Sequence, residues 1–268
     1  MFHGGNLRFL SILFVGLFAL PVWAFDSRVE HVVDSVVSVF ENDTPVLQYD
    51  YIENIHDGRG FTAGRSGFTT ATGDLYMVVE RYLKTVKDDE LALLVPVLLQ
   101  RARDGSASLK DLSRLPAIWR RCSLDPVFRK VQDEINFELN KQPAIEALQI
   151  TGLKTPLAYL IFYDTILQQG LSDSDDGFAD NLKRAGAVGE NETEFLGRFL
   201  AAREQILLHP KDPGTADAWI QSVDRVRALR RLLVAGELQL QTPLKLIVWG
   251  ETFSISGQKP LTNPSTKF

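Results

Sequence analysis

The chain of 268 residues contains very little cysteine and histidine. Cys122 is the only cysteine, so no disulfide can form within the chain and its stability has to come from a hydrophobic core. Because no histidine motif accompanies it, this thiol is more typical of a packed, inert side chain than of a nucleophile. Beyond the first 24 residues the histidines His31, His56 and His209 lie far apart and lack the spacing of metal ligands. We therefore expect neither a metal ion nor a cofactor.

Charge and motifs disfavour further classes of function. The 29 Lys and Arg residues are outnumbered by 34 Asp and Glu residues, which gives a formal net charge of −5. A nucleic-acid partner is therefore not expected, because it would require a basic face for its phosphates. The balance is compatible with a cationic substrate, although a modest negative charge is also ordinary for a soluble protein. The segment Gly58-Arg59-Gly60 lacks the Lys-Ser/Thr of a phosphate loop, and no nucleophile elbow of a serine hydrolase is present.

Long hydrophobic runs are missing after the N-terminus. Residues 1–24 have a positive start at Arg8, an apolar run from Phe9 to Leu20 and a small-residue site at Val22-Trp23-Ala24, which is typical of a cleaved secretory signal. An uncleaved anchor is the alternative, but the run is shorter than the roughly 20 residues that a spanning helix needs. We expect a soluble protein of residues 25–268, exported to a periplasm or out of the cell. Its net charge would be −6, because Arg8 is the only charged residue in the signal.

The rest of the sequence predicts a mainly α protein with a substantial core, since 45% of its residues are hydrophobic. Apolar residues at helical spacing predict helices over 28–40, 75–86, 88–103 with a kink or a break at Pro96, 109–121 interrupted by Pro116, 126–139 with a continuation past Pro143, 156–169, 191–208 and 225–234. Residues 46–55 predict an extended segment followed by a turn of helix. Residues 238–248 are strand-like, and a frayed tail begins at residue 258.

Residues 41–74 carry the clearest functional pattern, in which carboxylates alternate with glycines and aromatic side chains. Clefts that cleave carbohydrates need this combination, because two acids act on the glycosidic bond while flat rings lie against the sugars. The glycines around Arg59 predict a loop or tight hairpin that projects Asp57, with 61–69 as the partner strand. Glu41 and Asp57 are the candidate catalytic pair. Two solvated surface acids remain the alternative.

Asp164 is a second unusual feature, because it lies in a predicted helix that is apolar nearly all round. A buried carboxylate without a partner costs several kcal/mol, so we expect an arginine beside it. Arg203 and Arg225 on later helices are the candidates. The residues leave open whether such a network is structural or catalytic.

Long motifs of the chain closely resemble the N-terminal signature of the chitosanases of glycoside hydrolase family 46. The motifs are Glu41-Asn42, the run 51–64, Gly67-Phe68 and Thr72-Gly73-Asp74, with looser similarity at 162–164, 199–203 and 235–245. The resemblance implies endo-hydrolysis of the β-1,4 linkages of chitosan with inversion. It also implies a mainly α (α+β), lysozyme-like, two-lobed fold with a small β element and a substrate cleft between the lobes, lined by about residues 41–74. We expect a monomer.

The resemblance also implies roles for individual residues. Glu41 matches the general acid, Asp57 the general base, and Thr62 the threonine that helps to hold the attacking water. Three further residues match the substrate-binding cleft, in which the acids meet ammonium groups and the arginine braces the loop: Glu53, Asp74 and Arg59.

A charged network beneath the catalytic pair is implied as well. It would consist of Asp164, Arg203 and Arg225, and Arg227 or Arg230 are rivals for the last position because the similarity after Arg203 requires small gaps. Two other classes of function stay open. A lysozyme-like muramidase, or another hydrolase of amino-sugar polymers, would share the fold and the chemistry. A non-catalytic polysaccharide-binding protein would have lost the acid or the base, and both are present here.

Overall fold

The computed structural model describes residues 25–172, 176–211, 213–214 and 216–257. The predicted secretory signal and the predicted frayed tail both lie outside these residues. None of the helices in the described ranges combines the length and the apolar character that crossing a bilayer requires.

Helices make up most of the described chain. They are α1 Ser27–Asn42, α2 Asp74–Leu83, α3 Asp89–Ala92, α4 Val95–Asp104, α5 Leu115–Cys122, α6 Pro126–Asn136, α7 Gln142–Thr151, α8 Pro156–Gln169, α9 Phe178–Ala185, α10 Glu192–Leu208, α11 Ala216–Gln221 and α12 Val223–Val234. A π-helical turn, Phe137–Lys141, joins α6 to α7. The strands form two small antiparallel sheets. They are β1 Ile52–Glu53, β2 Thr62–Ala63 and β3 Phe68–Thr69 in one sheet, and β4 Leu244–Val248 and β5 Glu251–Ile255 in the other.

Helix α1 shows how the sequence determines the position of the first candidate acid. Asp26 caps its N-terminus by accepting a hydrogen bond from the backbone N–H of Val29 at 2.8 Å. The stripe of valines is buried in the core, as the spacing predicted. At the other end Asp43 adopts a left-handed φ of 55° and donates its N–H to the carbonyl of Val39 at 3.0 Å. Glu41 therefore lies in the last turn of the helix.

Residues 46–55 contain no turn of helix, so that prediction was wrong. The backbone carbonyl of Tyr49 accepts hydrogen bonds from Trp119 Nε1 and Gln132 Nε2, both at 3.0 Å. These contacts from α5 and α6 hold the segment in an irregular path up to β1. Tertiary contacts of this kind override the weak local pattern.

Residues 61–69 form two short strands, β2 and β3, instead of the single partner strand that the sequence predicted. The chain reverses between them because Gly64 and Gly67 adopt φ values of 70° and 66°. A Cβ at Gly64 would lie only 2.3 Å from Gln132 Oε1, so the reversal also packs tightly on α6.

Prolines mark helix starts more often than interruptions. Pro96 lies in the first turn of α4, and the predicted break between α3 and α4 is confirmed. Pro116 lies in the first turn of α5, so the predicted helix over 109–121 begins only at residue 115. The predicted continuation past Pro143 is confirmed. The π-helical turn lies just before this proline, whose nitrogen carries no hydrogen for a backbone hydrogen bond.

The C-terminal part differs from the prediction at several elements, among them α11, which was not predicted. The strand-like stretch 238–248 forms a strand only from Leu244, and its partner β5 was not predicted. Helix α9 was not predicted either. Helix α8 is central and buried, as expected, and it carries Asp164.

Buried hydrophobic side chains form two separate clusters, which correspond to two lobes. One cluster joins α1, α7–α10, α12 and the sheet β4–β5, and the other joins the sheet β1–β3 with α2–α6. One continuous helical segment runs from one cluster to the other, and it consists of α6, the π-helical turn and α7. The architecture is therefore mainly α in two lobes, as the family resemblance implied, with two small β elements instead of the one that was expected.

A network of buried charges braces the two lobes against each other. Arg65, in the turn between β2 and β3, donates to Asp34 of α1 at 2.7 Å and also pairs with Asp133 of α6. Lys141 of the π-helical turn lies 2.7 Å from Asp34 and 2.7 Å from Glu30. Burial alone would raise the pKa of Asp34, but the cations of Arg65 and Lys141 outweigh burial and hold that pKa below its ordinary value. Asp34 is thus the shared anion of the network.

We predict that Asp34→Ala lowers the free energy of unfolding by about 3–5 kcal/mol, because it leaves the buried cations of Arg65 and Lys141 without their common partner. Glu80→Ala is the matched control, since the i,i+4 pair of Glu80 with Lys84 is exposed and should contribute less than about 1 kcal/mol. Urea unfolding of both variants checks this. Equal losses would show that the network does not brace the lobes.

Candidate active site

The loop between β1 and β2 presents Asp57. Gly60 has a φ of 82°, and a Cβ at this position would lie 2.1 Å from Thr70 Oγ1, so only glycine fits. The carbonyl of Arg59 accepts hydrogen bonds from Thr70 Oγ1 at 3.2 Å and from the N–H of Ala71 at 3.1 Å. The loop is therefore fastened to the end of β3, with Asp57 at its outer end.

Arg59 holds the Asp57 carboxylate in one orientation. Asp57 Oδ1 accepts from the backbone N–H of Arg59 at 3.0 Å, and Oδ2 lies 2.7 Å from Arg59 Nε and 2.6 Å from Nη2. The Asp57 side chain keeps 22% of its surface exposed. The carboxylate is thus fixed and still open to solvent.

The same hairpin carries Glu53 at an exposed position on β1. Tyr51 donates its hydroxyl to Glu53 Oε2 at 3.4 Å. Burial, together with the negative charges of Glu53 and Asp57, raises the pKa of Tyr51. The structure therefore gathers two of the predicted cleft acids around one aromatic side chain.

Glu41 and Thr62 meet at the turn between β2 and β3. A Cβ built on Gly67 would lie 3.4 Å from Thr62 Cγ2 and 4.0 Å from Glu41 Oε2, so both side chains border the same point. Thr62 is buried, and its Oγ1 has no hydrogen-bond partner among the described residues. A buried hydroxyl with unused hydrogen-bonding capacity can bind a water molecule.

Beneath Glu41 lies an ion network. Arg225 Nη2 donates to Glu41 Oε1 at 2.8 Å and to Asp164 Oδ1 at 2.5 Å. Arg203 Nη1 donates to Asp164 Oδ2 at 2.6 Å, and Asp164 and Arg203 are fully buried. The Arg225 guanidinium also lies 5.2 Å from the centre of the Phe40 ring. The three residues that the resemblance grouped together are therefore in direct contact, and one of them reaches the candidate acid.

The charges in this network depend on one another. Burial would raise the pKa of Asp164, but Arg225 and Arg203 outweigh burial and lower that pKa below its ordinary value. Burial lowers the pKa of Arg203, and the charge of Asp164 opposes this. Burial would also lower the pKa of Arg225, but the charges of Asp164 and Glu41 raise it above its ordinary value.

The rival arginines lie elsewhere. Arg227 Nε and Arg230 Nη1 pair with Glu204 of α10, at 2.8 Å and 2.6 Å. Both side chains are at least one-third exposed, whereas that of Arg225 is 5% exposed. Of the three arginines on α12 that were considered, Arg225 is the one in contact with Glu41.

Asp74 has a local structural role in addition to the predicted one. Its Oδ1 accepts from Thr69 N at 2.7 Å, Leu75 N at 2.9 Å and Thr72 Oγ1 at 2.6 Å, which closes the turn between β3 and α2. Burial raises the pKa of Asp74 despite these hydrogen bonds. Its contact with a substrate stays a prediction.

A groove of about 600 Å³ opens at Glu41. Its aromatic and acidic lining comes from Phe40, Glu41, Asp43, Trp249, Glu251 and Phe253. The sequence prediction missed the C-terminal members of this set. The sequence offers little signal for them, because Trp249-Gly250 is not one of the usual two-residue hairpin turns.

The described residues do not favour chemistry that depends on a metal ion or on a cysteine nucleophile. No group of three or more His, Cys, Asp or Glu side chains there is arranged to hold a metal ion. Cys122 is buried with its Sγ 3.6 Å from Asp88 Oδ2, and burial is the main cause that raises the pKa of this thiol to about 11. Such a thiol is not a nucleophile at neutral pH.

Comparison with known proteins identifies the family. The sequence model of glycosyl hydrolase family 46 matches residues 35–244. The chain belongs to glycoside hydrolase family 46. Residues 35–244 include every residue that was predicted to form the site. The resemblance inferred from the motifs is therefore confirmed, and the protein is a glycoside hydrolase with a lysozyme-like fold.

Relatives of this family 46 protein match most of its length. The chitosanase of Bacillus subtilis (strain 168) is 38% identical over 218 residues, which are 79% of each chain. The structure of a Gynuella sunshinyii chitosanase in complex with chitotetraose matches with a TM-score of 0.82 and 39% identity, over 87% of this chain and 99% of that one. A mutant chitosanase from Bacillus subtilis MY002 complexed with 6 GlcN gives a TM-score of 0.83 and 35% identity, over 87% and 100%.

The Asp164 network predicts a specific pH dependence. Because the pKa of Asp164 is lower in the folded than in the unfolded chain, its ionic contribution to stability is present above the unfolded pKa of about 3.9 and is lost as the pH falls through the folded pKa. Asp164→Asn should cost about 3–5 kcal/mol near pH 7, because two buried cations lose their anion.

The test is urea unfolding of both proteins from pH 7 down to about pH 3. The difference in the free energy of unfolding should shrink below about pH 4. A difference that stays constant, or grows as the pH falls, would contradict the assignment of Asp164 as a buried anion.

Proposed function

We propose that this protein is a secreted, inverting endo-chitosanase that hydrolyses the β-1,4 linkages between glucosamine units of chitosan. The observation that carries the proposal is the placement of Glu41, which is held by a buried arginine beside Thr62, whose hydroxyl has no partner among the described residues. Asp57, on the hairpin of the other lobe, supplies a second fixed carboxylate. The curated and structural relatives named chitosanases support the same substrate class.

Glu41 acts as the general acid. Its Oε1 accepts the hydrogen bond from Arg225, which leaves Oε2, on the side of Gly67, to carry the proton. When the proton passes to the glycosidic oxygen, a carboxylate forms against the Arg225 guanidinium. A preorganised cation that meets charge as it develops favours the transition state over the ground state.

Asp57 acts as the general base. It removes a proton from a water molecule as the water oxygen attacks the anomeric carbon from the face opposite the leaving oxygen. Thr62 helps to hold that water, as the family resemblance implies, and its Oγ1 is available for this because it has no hydrogen-bond partner among the described residues. Inversion requires roughly 6.5–9.5 Å between the two carboxyl groups, and residues from two lobes can provide such a gap.

Acidic residues along the cleft suit a polycationic substrate. Glu53 on the hairpin and Asp43 and Glu251 near Glu41 are exposed. Such acids attract ammonium groups and disfavour N-acetylated units, which carry no charge. A muramidase would act on a polymer without these free amines, so the acidic lining favours chitosan. Export, through the predicted signal of residues 1–24, and action as a monomer are parts of the same proposal.

Replacing the acid tests the mechanism. Glu41→Gln should lower kcat on deacetylated chitosan by roughly 10²–10⁴-fold, because the amide cannot supply the proton. It should still bind a glucosamine hexamer with nearly wild-type affinity by isothermal titration calorimetry. Glu190→Gln, at an exposed position between α9 and α10, is the control and should keep full activity. Retained hydrolysis by Glu41→Gln would exclude Glu41 as the acid.

Salt should slow the enzyme. We expect kcat/KM for a glucosamine oligomer to fall as the ionic strength rises, because the screening length shrinks from about 10 Å at 0.1 M to about 3 Å at 1 M. Initial rates at fixed pH over this range measure the effect. Glu53→Gln should give a shallower dependence, since one attracting charge is removed. A wild-type rate that does not change with salt would count against electrostatic recognition.

A further inference from the structure

The turn between β4 and β5 holds an aromatic side chain in an uncommon conformation. Val248 pairs with Glu251, so Trp249 and Gly250 form a two-residue turn with φ values of 51° and 80°. A bulky side chain rarely adopts positive φ. Such conformations persist where the surrounding structure enforces them, and they are found more often at functional sites.

Helix α12 enforces this conformation. Asp224 Oδ2 accepts the backbone N–H of Trp249 at 2.5 Å. Arg231 Nη2 donates to the carbonyl of Ile247 at 2.7 Å, so the strand before the turn is held by the same helix. Arg225, the next residue after Asp224, holds Glu41. The indole and the catalytic acid are therefore positioned by neighbouring residues of one helix.

The indole is accessible and borders the acid. Trp249 is 39% exposed, although it is a large apolar side chain. Its ring meets that of Phe40 edge-on, with centroids 6.4 Å apart and an interplanar angle of 82°. Phe40 immediately precedes Glu41, and Glu41 and Trp249 line the same groove of about 600 Å³. This volume falls in the range of sites for small ligands, about 300–1,000 Å³.

The charge of this groove is of one sign. Among the described residues that line it, Asp43 and Glu251 are acids beside the proton donor Glu41, and none is Lys, Arg or His. The groove between α1 and α6 is different, because Lys130 and Lys141 line it together with its acids. A ligand for the groove at Glu41 should therefore combine a positive charge with a flat apolar face.

We propose that Trp249 is the stacking platform of a sugar subsite beside the catalytic acid, and that this subsite binds one glucosamine unit of the substrate. The apolar face of the sugar ring lies on the indole, and its ammonium group faces Glu251 and Asp43. This inference rests on the proposed function, because it takes its ligand from the substrate of that reaction. The subsite contributes to binding only for substrates that are long enough to reach Trp249.

The experiment measures binding and turnover separately. In the Glu41→Gln background, Trp249→Ala should weaken binding of a fully deacetylated glucosamine hexamer by on the order of ten-fold in calorimetry, and Trp249→Phe by about two- to three-fold, since a ring is kept. In the active enzyme, Trp249→Ala should raise KM for the hexamer and leave kcat within about two-fold. With a substrate too short to span Glu41 and Trp249, the effect should vanish.

Ile247→Ala is the matched control, because Ile247 is 41% exposed on the same hairpin and does not line the groove. It should bind and turn over the hexamer like the parent protein. Glu251→Gln is a second variant that avoids the turn conformation, and it should weaken hexamer binding several-fold at low salt. Melting temperatures establish that each variant is folded.

Hexamer binding that is unchanged in Trp249→Ala, or equally weakened in Ile247→Ala, overturns the subsite. If Trp249→Ala does not fold, unchanged binding in both Trp249→Phe and Glu251→Gln overturns it. The proposed function fails separately, through the absence of chitosan hydrolysis by the wild-type protein. The calorimetric arm does not depend on turnover, so the two failures are distinguishable.

Discussion

The ion pair between Arg225 and Asp164 is the contact on which the rest of the site depends. Neither charge could be buried alone, because an unpaired ion in the interior costs several kcal/mol. The same Nη2 of Arg225 that donates to Asp164 also donates to Glu41. Asp164 comes from the central helix α8, Arg225 from α12 and Glu41 from the last turn of α1. One buried cation thereby ties three helices together and fixes the orientation of Glu41, the proposed proton donor.

Helix α1 takes part in both charged networks. Asp34 and Glu41 are seven residues apart, which is about two turns, so they lie on the same face of the helix. Asp34 joins the brace formed with Arg65 and Lys141, and Glu41 joins the network of Arg225. Because Arg65 lies in the same turn as Gly67, the brace that holds the lobes together also positions the turn that borders Glu41 and Thr62. Stability and catalytic geometry therefore share the same buried charges.

Sequence predicted the elements whose pattern is local. The valine stripe of α1, the apolar helix around Asp164 and the glycine-permitted loop at Asp57 all follow from periodicity or backbone freedom. The roles of single residues came from family resemblance. What sequence missed depends on distant contacts: the partners of Arg65 lie 31 and 68 positions away, and the fixed turn at Trp249 depends on Asp224 of α12. The hydrogen bonds that replace a helical turn near Tyr49 are equally non-local.

In the proposed mechanism Glu41 and Asp57 act from opposite faces of a sugar, with a water molecule between Asp57 and the anomeric carbon. A proton NMR time course of the hydrolysis of a fully deacetylated glucosamine hexamer, read before mutarotation equilibrates the products, tests this arrangement. The new reducing ends should appear first as the α-anomer, because displacement by water inverts a β linkage. Initial release of the β-anomer would contradict the arrangement, because it would require a covalent intermediate and carboxyl groups only about 5–5.5 Å apart.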